Sequence, residues 1–303
     1  MDAGNIFIVT FYPEEIKHEL TSDGRFKFFL AGRWDYRKST KEIIETFIKT
    51  FDKDEPVDLI VSIDNMWGKD MDGFETTEER LAHYNLLDSR IKIIHFPSRE
   101  DYIKILKSVN VFVSCARSEG WNLPLIEAMA CGIPSIYSNC SGQLEFAEGK
   151  GIPVNIIGEK PADTNSYARY KMSDLPGNYY EPDFEHLSQQ MKFSYEFYDQ
   201  VKVKSLEESK EIHINFSWEK IGEIGYETLI EFYKNHPFIP IKNEIKISYL
   251  NGPKVEIIGD ENKKYHIEFL DENDKVIGLV GANSKAESAD NPCKSPMFSE
   301  FTE

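Results

Sequence analysis

Short apolar segments alternate with amphipathic segments through the first half of the chain. The apolar runs at 27–31, 57–63, 90–96, 111–115 and 135–138 have the length of buried strands. The segments between them have the spacing of helices with one apolar face, at 39–51, 76–87, 99–109 and 123–131. Because buried strands that alternate with helices form parallel sheets, the pattern predicts an α/β fold from about residue 25 to 157, with helices on both faces of the sheet.

The pattern changes after the last of these strands. Residues 158–180 are polar and rich in breakers, which indicates a long loop, and 181–234 return to helical spacing. Two prolines mark 236–243 as a linker. Beyond it the apolar period becomes two, which predicts a small antiparallel β module of about four strands at 244–281. Residues 282–303 have few apolar positions and are expected to form a disordered tail.

The acidic balance of the chain excludes several kinds of partner. Its 303 residues carry 35 Lys and Arg against 52 Asp and Glu, a net charge of −17. Nucleic acids and anionic lipids both need a basic face, so we expect no nucleic-acid partner and at most peripheral association with a membrane. No apolar run approaches the ~20 residues of a membrane span. Residues 1–17 show no signal-peptide pattern, so a cytoplasmic location is expected.

The cysteine pattern argues against a metal site. Cys115, Cys131, Cys140 and Cys293 form no CxxC pair and no cluster with histidine. This spacing disfavours zinc and favours a reduced protein. Cys115 and Cys131 lie in apolar segments and are expected to be small core residues.

Loops that follow parallel strands collect at one edge of the sheet, where ligands bind. The first such loop contains Gly32, Arg33 and Lys38 and leads into a helix that Ser39 or Thr40 can cap. Guanidinium, ammonium and helix-end amides together suit a diphosphate. Taken alone, however, these residues are better explained as a solvated basic loop paired with nearby acids.

The loop after the strand at 111–115 offers two carboxylates beside a helix start. Glu119 lies in the loop, Asn122 can cap the helix, and Glu127 lies in its opening turns. Carboxylates accept hydrogen bonds from sugar and ribose hydroxyls, while helix amides attract phosphate. Spacing alone does not separate this function from a capping acid and a surface acid on an amphipathic helix.

A third loop begins with His95, Phe96 and Pro97 at the end of another strand. An aromatic ring and a proline at this edge can border a nucleobase. His95 by itself is better explained as a structural histidine with satisfied hydrogen bonds.

Several ordered motifs resemble the large retaining glycosyltransferase family of the two-Rossmann (GT-B) type, known as group 1 or family 4. The segment EGWNLPLIEAMACGIPSI, in which seven residues separate Glu119 from Glu127, is similar to that family's E-x7-E segment. AGRWDYRKS is similar to the opening of its C-terminal half, FPSREDYIKILKSVNVFVS to the next strand-helix-strand, and YYEPDFEHLSQQM and NFSWEKIGE to its closing helices. The resemblance covers about residues 11–234, and it implies a Rossmann-like donor-binding domain at 25–235 after a linker segment at 1–24.

The resemblance implies a role for each matching residue. Arg33 and Lys38 would neutralise the donor diphosphate, Glu119 would bind the transferred sugar, and Glu127 would bind the nucleotide ribose. The catalytic set is then Arg33, Lys38 and Glu119, and the residues that face the donor are Gly32, Phe96, Pro97, Gly120, Trp121, Asn122, Leu123 and Glu127. Ser39 and Asn122 depart from the family pattern, because they stand where glycine is usual.

The chemistry implied by the resemblance needs no metal and no cofactor. Breaking the sugar–phosphate bond builds negative charge on the leaving diphosphate, and fixed cations and amides stabilise that charge. Asp70 and Asp72 form a D-x-D motif, a spacing that can bind a divalent cation. They lie well past the end of the preceding strand, so we expect them to be solvated loop acids.

The resemblance includes one of the family's two halves. Phe11, Tyr12 and Pro13 are similar to the interdomain linker, so the acceptor-binding N-terminal half is expected on a longer chain or a separate polypeptide. The β module resembles strand-rich segments attached to some bacterial glycosyltransferases, including the autotransporter-modifying heptosyltransferases. That likeness indicates a glycan or protein acceptor, although a packing role explains the module equally well. Two functions stay open: the donor half of a retaining glycosyltransferase that uses a nucleotide-sugar, and a non-catalytic nucleotide-sugar-binding or scaffold protein.

Overall fold

The strands and helices follow the predicted alternation. A computed structural model describes residues 11–14, 18–65, 73–162 and 177–235, together with four strands farther along the chain. The strands are β1 Phe26–Ala31, β2 Val57–Ser62, β3 Ile91–Ile93, β4 Val111–Ser114, β5 Ser135–Ser138, β6 Ile152–Val154, β7 Ile156–Pro161, β8 Asn178–Pro182, β9 Ile245–Ser248, β10 Lys254–Ile257, β11 Tyr265–Leu270 and β12 Val276–Ala282. The helices are α1 Thr40–Thr50, α2 Thr77–His83, α3 Arg99–Ser108, α4 Leu123–Ala130, α5 Leu144–Ala147, α6 Phe184–Glu196, α7 Tyr198–Phe216 and α8 Trp218–Asn235, with a 3-10 turn at Glu19–Thr21.

The main sheet has six parallel strands in the order β3-β2-β1-β4-β5-β6. The strand order reverses between β1 and β4, where Phe28 pairs with Val111 and Leu30 with Val113. A parallel sheet of this order has its ligand crevice at the carboxyl ends of the two strands that flank the reversal. The loops after β1 and β4 therefore meet at the place where a ligand is expected.

Alternate residues of β1 enter two separate apolar cores. Phe28 and Leu30 join the core that contains side chains of α1 and α6, whereas Phe29 and Ala31 join the core that contains side chains of α3 and α4. Because a strand presents successive side chains to opposite faces, helices cover both faces of the sheet. This arrangement confirms the predicted α/β fold with a Rossmann-like parallel sheet.

Two predicted core cysteines lie in these apolar clusters. Cys115 belongs to the first core and Cys131 to the second. Burial raises the pKa of the Cys131 thiol to about 12, so the thiol stays protonated at neutral pH. Cys293 lies outside the described residues.

One charged pair lies inside the sheet. Lys27 of β1 is directly beside Asp58 of β2 in the strand register, and its Nζ lies 2.7 Å from Asp58 Oδ2. Both side chains are almost fully buried, at 1% and 2% exposure. Arg25 Nε also donates to Asp58 Oδ1 at 3.0 Å. β1, which was predicted from its apolar run, thus contains a buried lysine, Lys27, whose counter-ion Asp58 comes from the neighbouring strand β2.

The prediction of a loop over 158–180 is wrong at both ends of that segment. β7 and β8 pair antiparallel as a hairpin, with Lys160 opposite Tyr179 and Glu159 opposite Tyr180. Most of β7 is exposed, so its sequence lacks the apolar pattern that marks a buried strand. Residues 163–176 of the predicted loop lie outside the described residues.

Helix starts follow the predicted positions but not always the predicted capping contacts. Ser39 and Asn122 precede α1 and α4 with left-handed φ values of 53° and 66°, and neither side chain caps its helix. Thr40 Oγ1 instead donates to Arg33 O at 2.8 Å. A side chain caps best from an extended N-cap residue, so the left-handed backbone redirects both groups. Ser217 does cap α8, where its Oγ accepts from Lys220 N at 3.1 Å.

The chain divides into two units, Met1–Thr228 and Leu229–Glu303. In the second unit β9 pairs antiparallel with β10, and β11 with β12, as the period-two pattern predicts. The linker at 236–243 lies outside the described residues, as does the tail after Ala282. Among the helices that the structure describes, none combines the length and apolar content needed to cross a membrane.

Candidate functional site

A cluster of opposite charges lies where the loops after β1 and β4 meet. Lys38 Nζ is 2.5 Å from Glu119 Oε1, and Arg37 Nη1 is 3.2 Å from Glu119 Oε2. The Glu119 side chain is only 8% exposed, so its charge is balanced largely by these two cations. The structure thus brings together Lys38 and Glu119, which the sequence places 81 residues apart.

The loop after β1 folds back on itself to direct its cations. Gly32 has a φ of 153°, and the Lys38 stem lies 3.9 Å from the position that a Cβ of Gly32 would occupy. Asp35 Oδ1 accepts from Arg37 N at 2.6 Å, which tightens the turn. Arg37 Nη1 then donates to Ser118 O at 2.6 Å and ties this loop to the next one.

Arg33 pairs with an acid of its own loop. Its Nη2 lies 2.8 Å from Asp35 Oδ2, and its side chain is 42% exposed. Among the described residues, Arg37 completes the charge cluster on Glu119. The resemblance singles out Arg33 of the two arginines in this loop, and the structure adds Arg37 as a partner of Glu119.

Ser141 and Gly142, in the loop that follows β5, bind the backbone of Glu119. Glu119 N donates to Ser141 Oγ at 3.0 Å, and Gly142 N donates to Glu119 O at 3.0 Å. A Cβ at Gly142 would collide with the carbonyl oxygen of Gly120. Sequence reasoning missed this support, although Gly142, in the loop that follows a parallel strand, was the available signal.

The four residues that follow Glu119 differ in exposure. Gly120 has open space around the position of a Cβ, and Trp121 and Leu123 are 37% and 50% exposed. Asn122 is buried, and its side-chain nitrogen donates to Ser114 Oγ at 3.0 Å and to Gln143 Oε1 at 2.7 Å. The segment therefore presents Gly120, Trp121 and Leu123 outward, while Asn122 anchors it to the sheet.

Glu127 is paired with an arginine. Arg99 Nη2 lies 2.6 Å from Glu127 Oε1, and the carboxylate is 5% exposed against 49% for the guanidinium. Burial of the Tyr102 hydroxyl, together with the nearby Glu127 charge, raises the pKa of Tyr102. An apolar cavity of about 260 Å³ opens beside Glu127; it is lined by Phe11, Trp121, Leu123, Ile126, Glu127, Ala130, Ile212, Phe216, Trp218 and Ile221.

The loop after β3 is held by a histidine. His95 Nδ1 lies 3.1 Å from Asp64 Oδ1, and His95 Nε2 lies 3.0 Å from Glu78 Oε1, so the histidine has satisfied hydrogen bonds as predicted. The hydrogen bond with Asp64 is the largest reason that the pKa of His95 is raised. Phe96 follows with a φ of 37° and a ring 63% exposed, and Pro97 is half-buried. β3 is the edge strand, two places from β1, so these residues lie farther along the same sheet edge.

The described residues contain no cluster of three or more His, Cys, Asp or Glu side chains that could hold a metal ion. The predicted solvated acids Asp70 and Asp72 lie outside the described residues. The four cations named at this edge, Arg33, Arg37, Lys38 and Arg99, each face a carboxylate. The site chemistry visible here is therefore cation, carboxylate and backbone amide.

Comparison with known sequences gives one family. The family model of glycosyl transferases group 1 matches residues 12–171. A GDP-mannose:cellobiosyl-diphosphopolyprenol alpha-mannosyltransferase of Xanthomonas oryzae pv. oryzae is 25% identical over 137 residues, which are 45% of this chain and 34% of that protein. The match thus spans about a third of that relative's length.

Comparison with solved structures gives the same fold. Anabaena HepE in complex with UDP-glucose matches 75% of this chain and 56% of its own, with a TM-score of 0.55 and 15% identity. The C-terminal domain of the group 1 glycosyl transferase family protein LpcC from Francisella tularensis matches 70% of this chain and 97% of its own, with a TM-score of 0.50 and 18% identity. The fold is that of GT-B glycosyltransferases. Because the family model matches more than half of its length, the chain belongs to the glycosyl transferases of group 1.

Proposed function

We propose that the chain binds a nucleoside-diphosphate sugar between the ends of β1 and β4 and serves as the donor-binding half of a retaining glycosyltransferase. The observation that carries this proposal is the convergence of Lys38 and Arg37 on Glu119 at the strand-order reversal. Two cations and a carboxylate at this place suit a diphosphate joined to a sugar.

Each group has a defined task in this proposal. Lys38, with Arg33 or Arg37, neutralises the charge that develops on the leaving diphosphate, and no metal is required. Glu119 accepts hydrogen bonds from hydroxyls of the transferred sugar. The segment Gly120–Leu123 offers backbone amides at the helix start, where negative charge is favoured.

The nucleoside lies along the same edge in this proposal. Glu127 accepts from the ribose hydroxyls, which then compete with Arg99 for the carboxylate. Phe96 and Pro97 border the base. The solved HepE complex contains UDP-glucose, and the Xanthomonas relative is named for GDP-mannose, so a hexosyl donor is the substrate class that we propose.

The acceptor side is assigned to another domain. The LpcC match covers nearly all of a C-terminal domain, which supports the assignment of this chain to that half. An N-terminal half, on a separate polypeptide or a longer chain, would bind a glycan or protein acceptor in the cytoplasm. We expect this chain alone to bind the donor and to transfer sugar slowly or not at all.

The test of donor binding is calorimetric titration with UDP-glucose and with GDP-mannose. Lys38→Ala and Glu127→Ala should each weaken binding about tenfold, because each removes a charged hydrogen-bond partner of the donor. Lys104→Ala is the matched control, since Lys104 is a surface lysine that pairs with Glu100 at 2.7 Å on α3. Absence of binding to both donors, or equal affinity of all variants, contradicts the proposal.

A transfer assay separates an enzyme from a binding protein. The chain is mixed with, or joined to, an N-terminal half of the same family, and the anomeric configuration of the product is read by NMR. Transfer with the donor's configuration preserved supports the retaining enzyme. Donor binding without transfer in every combination supports the non-catalytic alternative.

A further inference from the structure

Arg117 is a buried arginine that the roles above do not use. It lies two residues before Glu119, and its side chain is 3% exposed. Its Nη1 donates to Tyr36 O at 2.6 Å and to Ser39 Oγ at 2.9 Å. Its Nη2 donates to Glu42 Oε1 at 3.0 Å. The guanidinium thus holds the loop after β1 on both sides of Lys38.

The same residue also contacts the β7–β8 hairpin. Arg117 Nε donates to Glu181 Oε1 at 3.3 Å, and Tyr180 N donates to Arg117 O at 3.0 Å. Glu181 also accepts from Tyr36 Oη at 3.0 Å and pairs with Lys160 at 3.1 Å. Burial disfavours the charged carboxylate, but Lys160 and Arg117 outweigh it and lower the pKa of Glu181. One charged centre therefore joins three segments of the chain.

The backbone of Arg117 sets the distance between the two cluster loops. Arg117 N donates to Arg37 O at 2.7 Å. Arg37 directly precedes Lys38 in one loop, and Arg117 lies two residues before Glu119 in the other. Ser39, the residue after Lys38, has the left-handed φ of 53° that a serine rarely adopts. Its hydroxyl is held by Arg117, which stabilises that conformation.

Four hydrogen bonds inside the protein occupy the Arg117 guanidinium. Its contribution to a bound anion is therefore indirect. We propose that Arg117 is a positioning residue that fixes Lys38 against Glu119 and, through Glu181, makes this geometry depend on the β7–β8 hairpin. Of the two measurements below, only the one of donor affinity rests on the donor-binding function proposed above.

Arg117→Lys is the informative variant, because it keeps the charge and loses the planar fork of donors. Arg90→Lys is the matched control. Arg90 is 4% exposed, makes four hydrogen bonds to Asp88, Phe51 O and Asp52 O, and precedes β3 at the opposite end of the sheet. Both variants lose stability, but only Arg117→Lys should disturb the cluster.

The first measurement needs no ligand. Acylation of surface amines by acetic anhydride, read by mass spectrometry, gives the rate at Lys38 relative to Lys41. We expect the Lys38 rate to rise about threefold in Arg117→Lys, since a lysine released from its ion pair is more exposed, and to stay unchanged in Arg90→Lys. If Arg117→Lys does not fold, Glu181→Gln replaces it, with a smaller rise expected. An unchanged Lys38 rate in the folded variant overturns the proposal.

The second measurement is a double-mutant cycle on donor affinity. Arg117→Lys should weaken binding of UDP-glucose or GDP-mannose about tenfold, and Lys38→Ala should add less than about twofold in that background. In Arg90→Lys the full effect of Lys38→Ala should remain. A full effect of Lys38→Ala in both backgrounds overturns the positioning role. If the wild-type chain binds neither donor, the proposed function fails while the acylation result still decides on Arg117.

Discussion

Ser39 and Asn122, which the resemblance places where glycine is usual, both have a backbone conformation that glycine adopts easily. Both residues have positive φ values, 53° and 66°, in a region that glycine enters without steric cost. A side-chain hydrogen bond holds each of these two residues: Ser39 accepts from Arg117, and Asn122 donates to Ser114. The backbone path beside Lys38 and Glu119 is therefore kept without glycine at either position.

Gly120→Ala separates a binding role from a folding role. The fold tolerates alanine here, because Gly120 needs no positive φ and nothing lies within 4 Å of the added Cβ. If the donor lies against this backbone, the methyl group intrudes and should weaken donor binding about tenfold. Calorimetric titration with UDP-glucose or GDP-mannose measures the affinity, and thermal unfolding measures the stability.

Gly158→Ala is the control for this variant, since Gly158 also has open space and lies on the exposed strand β7. It should change neither property. A Gly120→Ala chain that binds the donor as tightly as the wild type would place the donor elsewhere.

His95 gives a prediction for pH. Its pKa is raised in the folded chain, first by the hydrogen bond with Asp64 and then by Glu78, so folding favours the protonated ring. The resulting stabilisation is complete below the ordinary value of 6.5 and is lost as pH rises through the raised value. The difference in unfolding temperature between the wild type and His95→Gln should therefore be larger at about pH 5.5 than at about pH 8.5. A difference that grows with pH would contradict it.

The sequence was sufficient to predict those site residues that directly follow a clearly marked strand. Lys38 and Glu119 follow strands that the apolar pattern marks clearly, so their meeting at one sheet edge could be predicted. Arg37 and Arg117 could not be assigned, because their roles depend on partners that the chain brings together only in the fold. The choice between Arg33 and Arg37 depends on one hydrogen-bonded acid, Asp35.

Among the elements, buried strands and amphipathic helices were predictable and the exposed hairpin was not. The parallel strands are apolar because helices cover both faces of their sheet. β7 and β8 pair with each other, and β7 is largely exposed, so its composition does not separate it from a loop. The hairpin is nevertheless the element through which Glu181 reaches the site.

The Lys27–Asp58 pair predicts how β1 and β2 depend on each other. Lys27→Met leaves the buried Asp58 carboxylate with Arg25 as its remaining described partner. We expect a loss of about 3 kcal/mol in the free energy of unfolding, the lower end of the cost of breaking a buried pair. Urea denaturation measures it.

Lys41→Met is the control, because Lys41 is 40% exposed and its pair with Glu45 is 3.4 Å long. Its expected effect is within about 0.5 kcal/mol. Equal effects of the two substitutions would show that the buried pair contributes no more than a surface one.

At the scale of the whole molecule, the described apolar cores and the candidate site lie in the first of the two units. Every residue of the two described apolar cores lies at or before Phe216, and every candidate site residue lies between Gly32 and Glu127. The first unit therefore contains both its own core and the whole of the candidate site. The domain boundaries at 235 and 243 stay predictions.

A chain truncated after Asn235 tests this division. We expect it to fold cooperatively and to bind the donor within about twofold of the full chain, since the truncated chain keeps both apolar cores and every candidate site residue. Circular dichroism and calorimetric titration are the measurements. A loss of donor affinity in a folded truncated chain would show that the second unit takes part in binding.

The ion pairs around Glu119 have a consequence for any anion that enters the crevice. This carboxylate is the counter-ion of Lys38 and Arg37, and it keeps two like charges side by side in a chain of net charge −17. Under the proposed function, a diphosphate would have to displace Glu119 from Lys38, and a weakly charged anion would gain little from that exchange. The ion pair would therefore select for ligands that carry enough negative charge to replace a carboxylate.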